Sequence, residues 1–183
     1  MIKTIFAGLL VTSSAFGACT YHNENTKVTW TAFKTYAKAG VGGSFDKTLF
    51  TPKTAPSIDG VLTGSRISIT TASVNTGNAG RDATLVESFF KVQNTATIDA
   101  VISSAKEGKA LVEITMNNVR KTIPMSYTIN GDKITGKGVI DLADFTMLPS
   151  LSAINKACFD LHQGKTWQDV EIGFEMAIKS DCR

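Results

Sequence analysis

Histidine and cysteine are scarce in this chain. Its 183 residues include two histidines, His22 and His162, and three cysteines. A zinc site requires three or four converging ligands, and c-type haem attachment requires a C-x-x-C-H run, which is absent from the sequence. The G-x-S-x-G turn of α/β-hydrolases is absent as well. We therefore predict no catalytic residues, no metal site and no cofactor, and expect the protein not to be an enzyme.

A large excess of one charge is also missing. The chain has 19 Lys and Arg against 16 Asp and Glu, for a net charge of +3. The longest local basic feature is the pair Arg120 and Lys121, whereas a nucleic-acid surface shows a clustered basic stripe. We therefore expect nucleic acid not to be a partner.

Long apolar runs are limited to the first residues. Lys3 precedes the apolar stretch 5–11, and the small residues Ala15 and Gly17 follow it, which is the order of a secretory signal peptide. The stretch is shorter than the roughly 20 residues that cross a bilayer, so we expect a protein that does not span the membrane. These features predict a signal peptide over residues 1–18, a single mature domain over 19–183, and a periplasmic location. Residues 16–19 also resemble a lipoprotein cleavage site, so anchoring through a lipidated Cys19 is the less favoured alternative.

Alternation of apolar and polar residues dominates the mature chain. Val170, Ile172, Phe174 and later apolar residues alternate with Glu171 and its polar neighbours, and similar patterns recur around 28–32, 110–116 and 123–129. This pattern is typical of antiparallel strands with one buried face. Turn signals such as 130–132 separate the runs at short intervals. We predict an all-β fold, a single antiparallel barrel of about eight strands.

Two segments depart from this pattern. Residues of about 80–90 place Leu85, Phe89 and Phe90 on one side, and residues 149–164 repeat apolar residues at helical spacing after Pro149. We expect two short helices that pack on the barrel or cover its mouth.

A glycine-rich stretch at 40–45 could be mistaken for a phosphate loop. Its sixth position is Phe45 and no helix follows it, so the motif fails. A bend or bulge in a strand is the better interpretation.

Cys158 and His162 define one alternative function. They stand four residues apart, so one helical face could carry them as half a metal site or as an activated thiol in a redox protein. Cys158 also lies on the apolar stripe of the second predicted helix, where cysteine commonly acts as a small buried hydrophobe. An interaction module with a filled barrel and no ligand is the other alternative.

The stretch from Ser73 to Phe90 carries a more specific pattern. A strand ending S-V-N-T-G is followed by Arg81–Asp82, a leucine and the pair Phe89–Phe90, and this order resembles the YceI-like family of periplasmic lipid- and polyisoprenoid-binding proteins. Weaker markers agree with it. They are Val28–Trp30, Gly43–Phe45, Asn118–Pro124 and Asp144–Phe145.

The chain also departs from the family pattern. Thr84 stands where a histidine is common, Leu142–Ala143 replaces a position that often holds arginine, and Asn118 replaces a glycine. We therefore do not transfer the ligand's identity or its polar contacts. At a helix start, Arg81 and Asp82 are interpreted as structural residues first.

The resemblance implies a lipocalin-like barrel that holds a long-chain amphiphile, such as a polyisoprenoid, a quinone-type molecule or a fatty-acid derivative. Met116, Met125 and Met176 would give its interior a soft lining. A homodimer and lipid donor or acceptor proteins remain open as further partners. The residues we expect to contact the ligand are Trp30, Phe89, Phe90, Met125, Tyr127, Phe145, Ile172, Phe174 and Met176.

The terminal cysteines suggest a disulfide between the two ends of the mature chain. In a closed barrel the first and last strands are antiparallel neighbours, which places the start of one beside the end of the other. If Cys19 is not lipidated, we predict a disulfide between Cys19 and Cys182, with Cys158 left as a thiol.

Overall fold

The protein is described by a computed structural model that covers residues 19–162 and 164–182. Residues 1–18, where the signal peptide is predicted, lie outside this part. The strands are β1 (Cys19–Lys34), β2 (Ala39–Phe45), β3 (Thr48–Thr51), β4 (Thr54–Ala55), β5 (Arg66–Thr70), β6 (Val74–Asn75), β7 (Thr97–Lys106), β8 (Lys109–Met116), β9 (Val119–Asn130), β10 (Lys133–Asp141) and β11 (Thr166–Cys182).

The helices are short. They are α1 (Ile58–Leu62), α2 (Ala79–Leu85), α3 (Leu148–Ala157) and α4 (Phe159–His162). A π-helical turn, Val86–Phe90, continues α2, and 3-10 turns occur at Thr71–Ser73, Lys91–Gln93 and Leu142–Phe145.

All strands of the described residues belong to one antiparallel sheet. Its order is β3-β5-β7-β8-β9-β10-β11-β1-β2-β6, with β4 paired to β1. The predicted all-β antiparallel fold is therefore confirmed, although the sheet has eleven separate strands rather than eight.

Two interrupted strands account for most of this difference. Only residues 46–47 separate β2 from β3, and the turn at 71–73 separates β5 from β6. Pairing continues on both sides of the breaks, since Ser44 pairs with Asn75 before them and Thr48 with Ile69 after them. Counted as two bent strands, these four pieces give an eight-stranded curled sheet with the two-residue β4 added. The bent strands connect the β1 side of the sheet to the β5 side.

Hydrogen bonds hold this bend. The backbone N–H of Asp46 donates to the carbonyl of Ser73 at 2.9 Å, and the side-chain amide of Asn75 donates to the Asp46 carboxylate at 3.0 Å. The N–H of Lys47 donates to the Ser73 hydroxyl at 2.9 Å. The backbone groups freed where the ladder breaks thus find new partners.

The two predicted helices are present, with changed boundaries. The first begins after Asn78, whose side-chain oxygen accepts a hydrogen bond from the N–H of Arg81 at 2.9 Å. Asp82 instead accepts from the N–H and hydroxyl of Thr76, at 2.8 and 2.6 Å. Asp82 therefore fixes the preceding turn, in keeping with a structural role. The second predicted helix is divided at Cys158 into α3 and α4.

Helix α1 was not predicted from the sequence. Ser57 caps it by accepting from the N–H of Gly60 at 3.1 Å, and Val61 and Leu62 are fully buried. Helix α1 fills one end of the barrel, while α2, its π-helical continuation and α3 pack together beside the other end. These two sets of helices determine where open space remains inside.

Candidate functional site: an apolar cavity

A cavity of about 200 Å³ lies inside the barrel. Its wall is formed by the inward faces of β1, β5, β7, β8 and β11, together with side chains from α2, its π-helical continuation and α3. Almost every side chain in this wall is apolar. Such a cavity favours an apolar occupant, since an apolar void gives water too few hydrogen-bonding partners.

The strand alternation produces this wall. On β11, Val170, Ile172, Phe174 and Met176 line the cavity, while Glu175 lies on the outer face and pairs with Lys133 at 2.8 Å. The Lys133 ammonium lowers the pKa of Glu175. Charges are thus placed outside and hydrocarbon inside by the period-two geometry of the strand.

Glycines opposite the large lining residues keep the cavity open. Phe174 pairs across the ladder with Gly136, where an added Cβ would lie 2.1 Å from the Phe174 ring. Met125 pairs with Gly138, where an added Cβ would lie 2.7 Å from Met125 Cγ. Each side chain therefore lies flat over a neighbouring strand that presents no side chain of its own. Large residues cover the wall without filling the interior.

Most of the predicted ligand residues are part of this wall. The seven that line the cavity are Trp30, Phe89, Phe90, Met125, Ile172, Phe174 and Met176. Met116 lines it as well. Contact between these residues and a ligand stays a prediction.

Tyr127 and Phe145 lie elsewhere. The Tyr127 hydroxyl donates to the Asp59 carboxylate of α1 at 2.5 Å, and its ring packs in the filled end of the barrel. Phe145 is fully buried in the 3-10 turn after β10, apart from the cavity wall. Both were chosen because they are large and apolar, and both serve the packed core instead. Neither residue borders the cavity, and their contact with a ligand stays a prediction.

Sequence reasoning missed part of the wall. Ile98, Ala100 and Ile102 on β7 line the cavity, and their alternation could have identified them. Leu151 and Ile154 of α3 also line it, and their helical spacing could have identified them. No local pattern marks Phe50, which reaches the cavity from the short strand β3.

No charged side chain of the described residues is directed into the cavity by the strand alternation. Arg66 contributes to the wall, but it is exposed and stands between Ser65 and Ile67, which face inward, so its side chain faces outward. The Ser65 hydroxyl donates to the carbonyl of Val61 at 2.7 Å and accepts from the Asn23 amide at 2.7 Å. An ionic head group would lack a counter-charge inside.

The thiol alternative gains little from the structure. Within residues 19–162 and 164–182, no three His, Cys, Asp or Glu residues cluster as metal ligands. Cys158 is free and half-buried, and burial raises the pKa of its thiol, which reduces the reactive thiolate fraction. The side chain of His162, its proposed partner, lies outside the described part.

Within the described residues, no helix has the length and apolar character to cross a membrane. The terminal cysteines face each other along the sheet, since Cys19 is the direct ladder partner of Cys182. The disulfide between them stays a prediction.

Comparison with solved structures shows the same fold in other bacterial proteins. A polyisoprenoid binding domain from Saccharophagus degradans matches with a TM-score of 0.61 at 12% identity, covering 90% of this chain and 99% of that one. BcnA of Burkholderia cenocepacia matches with a TM-score of 0.58 at 17% identity, covering 84% and 96%. A mutant of the Campylobacter jejuni YCEI protein gives 0.51 at 19% identity, covering 79% and 86%.

A search of curated protein sequences gives no match. The model of the YceI-like domain, however, matches residues 20–178, which is nearly the whole described chain. The pattern from Ser73 to Phe90 and the apolar-lined antiparallel sheet agree with this match. The chain belongs to the YceI-like family.

Proposed function

We propose that this protein is an exported, periplasmic binding protein that carries a long-chain amphiphile inside its barrel. The observation that supports it most is the apolar cavity, kept open where Phe174 and Met125 lie flat against Gly136 and Gly138. The match to a domain described as polyisoprenoid binding agrees with such a ligand. A polyisoprenoid, a quinone-type molecule and a fatty-acid derivative all carry the required hydrocarbon tail.

The size of the cavity argues against a bulky, compact ligand. Its volume of about 200 Å³ is below the range of about 300–1,000 Å³ common for drug-sized ligands. Burying about 15 methylene groups contributes about 12 kcal/mol at roughly 0.8 kcal/mol each. Association and ordering cost about 4–15 kcal/mol, so only a long chain stays bound. A binding function without catalysis fits a site in which no ionisable side chain of the described residues is directed inward by the strand alternation.

The direct test is extraction of the protein purified from its native host, followed by mass spectrometry. We expect a molecule with a long hydrocarbon tail at near-stoichiometric amount. A native protein whose extract contains no such molecule, and whose interior proves tightly packed, would contradict the proposal.

Phe174→Glu provides the matching variant. A carboxylate placed in the apolar cavity has no partner and is strongly disfavoured, so we expect lipid occupancy to be lost. Cooperative unfolding must first show that the variant folds. Glu171→Gln, on the outer face of the same strand, should leave occupancy unchanged. A folded Phe174→Glu protein with full occupancy would remove the cavity from the ligand site.

A further inference from the structure

One continuous surface lies at the end of the barrel opposite α1. It comprises the end of β1 with the turn that follows it (34–38), the end of α3 with α4 (156–161), and residues 164–169, and we name it the rim patch. The N–H of Thr35 donates to the carbonyl of Lys165 at 2.9 Å, and the N–H of Gly164 donates to the carbonyl of Phe159 at 3.2 Å. These two hydrogen bonds join the three segments.

Large apolar side chains are exposed on the rim patch. Leu161 is 81% exposed, Tyr36 73% and Phe159 62%, so the patch holds three of the four most exposed large apolar side chains among the described residues. The fourth, Leu49 at 73%, lies apart on β3. Single exposed apolar residues are ordinary, but several on one surface mark a contact site for another apolar body.

These apolar side chains stand among lysines. The charged residues of the rim patch are Lys34, Lys38, Lys156, Lys165, Asp160 and Asp169. Asp169 is already paired with Lys38, whose Nζ lies 2.6 Å from its carboxylate. Three lysines therefore remain against the single carboxylate of Asp160, and the patch is complementary to an anionic surface.

Two of the lysines lie on an aromatic ring. Nζ of Lys165 stands 4.2 Å from the centre of a Trp167 ring, and Nζ of Lys38 stands 5.0 Å from it. Aromatic side chains and lysines both combine an apolar body with a polar tip, which suits them to the boundary between water and lipid.

The rim patch adjoins the cavity. Thr166 and Trp167 belong to both, since they also line the cavity. Trp167 is half-buried, and its Nε1–H donates to the carbonyl of Thr35 at 2.8 Å, which fixes the ring between the turn and the wall. A body that contacts the rim patch therefore lies next to this end of the cavity.

We propose that the rim patch docks on the surface of a bilayer that contains anionic phospholipids. The lysines contact the lipid phosphates, and the side chains of Tyr36, Phe159 and Leu161 enter the headgroup region. Docking in this orientation turns the Trp167 end of the cavity towards the lipid. The inference goes beyond the proposed function, because it concerns a partner surface and holds for any tail in the cavity.

A second copy of the chain fits the rim patch less well. In a two-fold dimer the same patch meets itself, so its excess of lysines would face an equal excess. Like charges brought together at an interface oppose association. An anionic lipid surface supplies the missing negative charge instead.

The test is flotation of the full mature chain with vesicles. One set of vesicles contains phosphatidylglycerol and phosphatidylethanolamine in equal amounts, and the other contains phosphatidylcholine alone. At low ionic strength we expect binding to the first set to be at least about tenfold stronger than to the second. This binding should weaken as salt is added, because salt screens the attraction between lysines and lipid phosphates.

Substitutions on the rim patch should weaken vesicle binding. Leu161→Ser should do so about tenfold, because serine brings no apolar side chain to the headgroup region. Lys156→Gln and Lys165→Gln should each weaken binding to the anionic vesicles about fivefold. Leu49→Ser is the matched control, since Leu49 is nearly as exposed but lies on β3, and it should bind as the wild-type protein does. Melting temperatures check that each variant is folded.

A wild-type protein that does not bind the phosphatidylglycerol vesicles at low ionic strength would overturn the proposal. Equal weakening by Leu161→Ser and Leu49→Ser would overturn it too, because the vesicle would then contact another surface. A dimer that Leu161→Ser dissociates, in a protein that binds no vesicles, would assign the rim patch to a second copy. Lipid extraction of the native protein tests the proposed function separately, so either proposal can fail while the other stands.

Discussion

The two parts of the barrel interior differ although the same strands build both. At the α1 end, Val61 and Leu62 are fully buried, and Ile134 and Asn23 are fully buried with them. Every polar group of Asn23 is used, since its amide reaches Ser65 and its carbonyl oxygen accepts from the N–H of Lys53 at 2.5 Å. Towards α3 the same strands enclose a cavity and leave polar atoms unpaired.

This contrast separates stability from binding. A packed and hydrogen-bonded end contributes most to the free energy of folding, whereas a hollow region forgoes contacts that a ligand can supply. We therefore expect substitutions at the α1 end to change stability with little effect on ligand affinity. Substitutions in the cavity wall should change ligand affinity more and stability less than those at the α1 end.

The largest effect on stability should come from Cys19 and Cys182, which are ladder partners at the start of β1 and the end of β11. If Cys19 and Cys182 form the predicted disulfide, Cys19→Ser should cost about 4–5 kcal/mol, because the bridge closes nearly the whole mature chain. Denaturant unfolding under non-reducing conditions measures this loss. Cys158→Ser is the control and should change stability little.

Peptide mapping of the native protein without reduction tests the same prediction and the start of the mature chain. We expect a mature N-terminus at Ala18 or Cys19 and a linked pair of terminal peptides. A disulfide involving Cys158, or a diacylated Cys19, would show that the predicted disulfide between Cys19 and Cys182 is wrong.

A pair of leucines compares the two regions directly. Leu62 in α1 is fully buried and packed on all sides, while Leu142 is 5% exposed and borders the cavity. We expect Leu62→Ala to cost about 4 kcal/mol and Leu142→Ala about 2 kcal/mol, within the range for buried leucines. Leucine beside a void already lacks contacts on one side, so its truncation removes less.

The effects of the two substitutions on ligand affinity should have the opposite order to their effects on stability. Leu142→Ala alters the wall and should change affinity for a long-chain probe, whereas folded Leu62→Ala should keep the affinity of the wild-type protein. Equal costs of unfolding for the two variants would argue that the two regions are equally well packed.

The smallest effect concerns the hydrogen bond from Tyr127 to Asp59. Burial, and then this hydrogen bond, raise the pKa of Tyr127 above its ordinary value of 10.0. The unfolded chain thus loses this proton at lower pH than the folded chain. The stabilisation is complete below about pH 10 and is lost as pH rises through the folded-state pKa.

Tyr127→Phe should cost about 1–2 kcal/mol near neutral pH, since it leaves Asp59 without its donor. The difference in unfolding free energy between wild-type and variant proteins should shrink above pH 10. Comparing the two proteins removes the contribution of the other tyrosines. A difference that stays constant up to high pH would mean that the hydrogen bond contributes no stability.

The fold was largely predictable because strand alternation and turn residues are local signals. The same signals gave Phe174 and Tyr127 equal weight, since both are large residues on the inner face of a strand. Tyr127 meets α1, a five-residue helix whose sequence has too few turns to show a helical period. Phe174 meets Gly136 across the ladder. Which of them borders a cavity depends on partners distant in sequence, and alternation within one strand carries no information about those partners.

Asn118 illustrates a departure that the structure explains. It adopts a left-handed backbone with φ of 59°, as does Asn117 with φ of 51°. Asparagine tolerates this conformation better than other non-glycine residues, so it can replace glycine in the turn between β8 and β9.

The glycines behind the wall also show that the width of the barrel interior and the chemical character of its lining are set by different residues. Gly43, Gly136 and Gly138 are not themselves part of the cavity wall, yet a methyl group at any of them would meet a lining side chain at less than contact distance. The width of the cavity is therefore set by residues that lie beneath the lining side chains and do not border the cavity themselves. Relatives with identical lining residues could differ in the width of tail that they admit through a single alanine in β2 or β10. Ligand preference in such a barrel cannot be read from the residues that face the ligand alone.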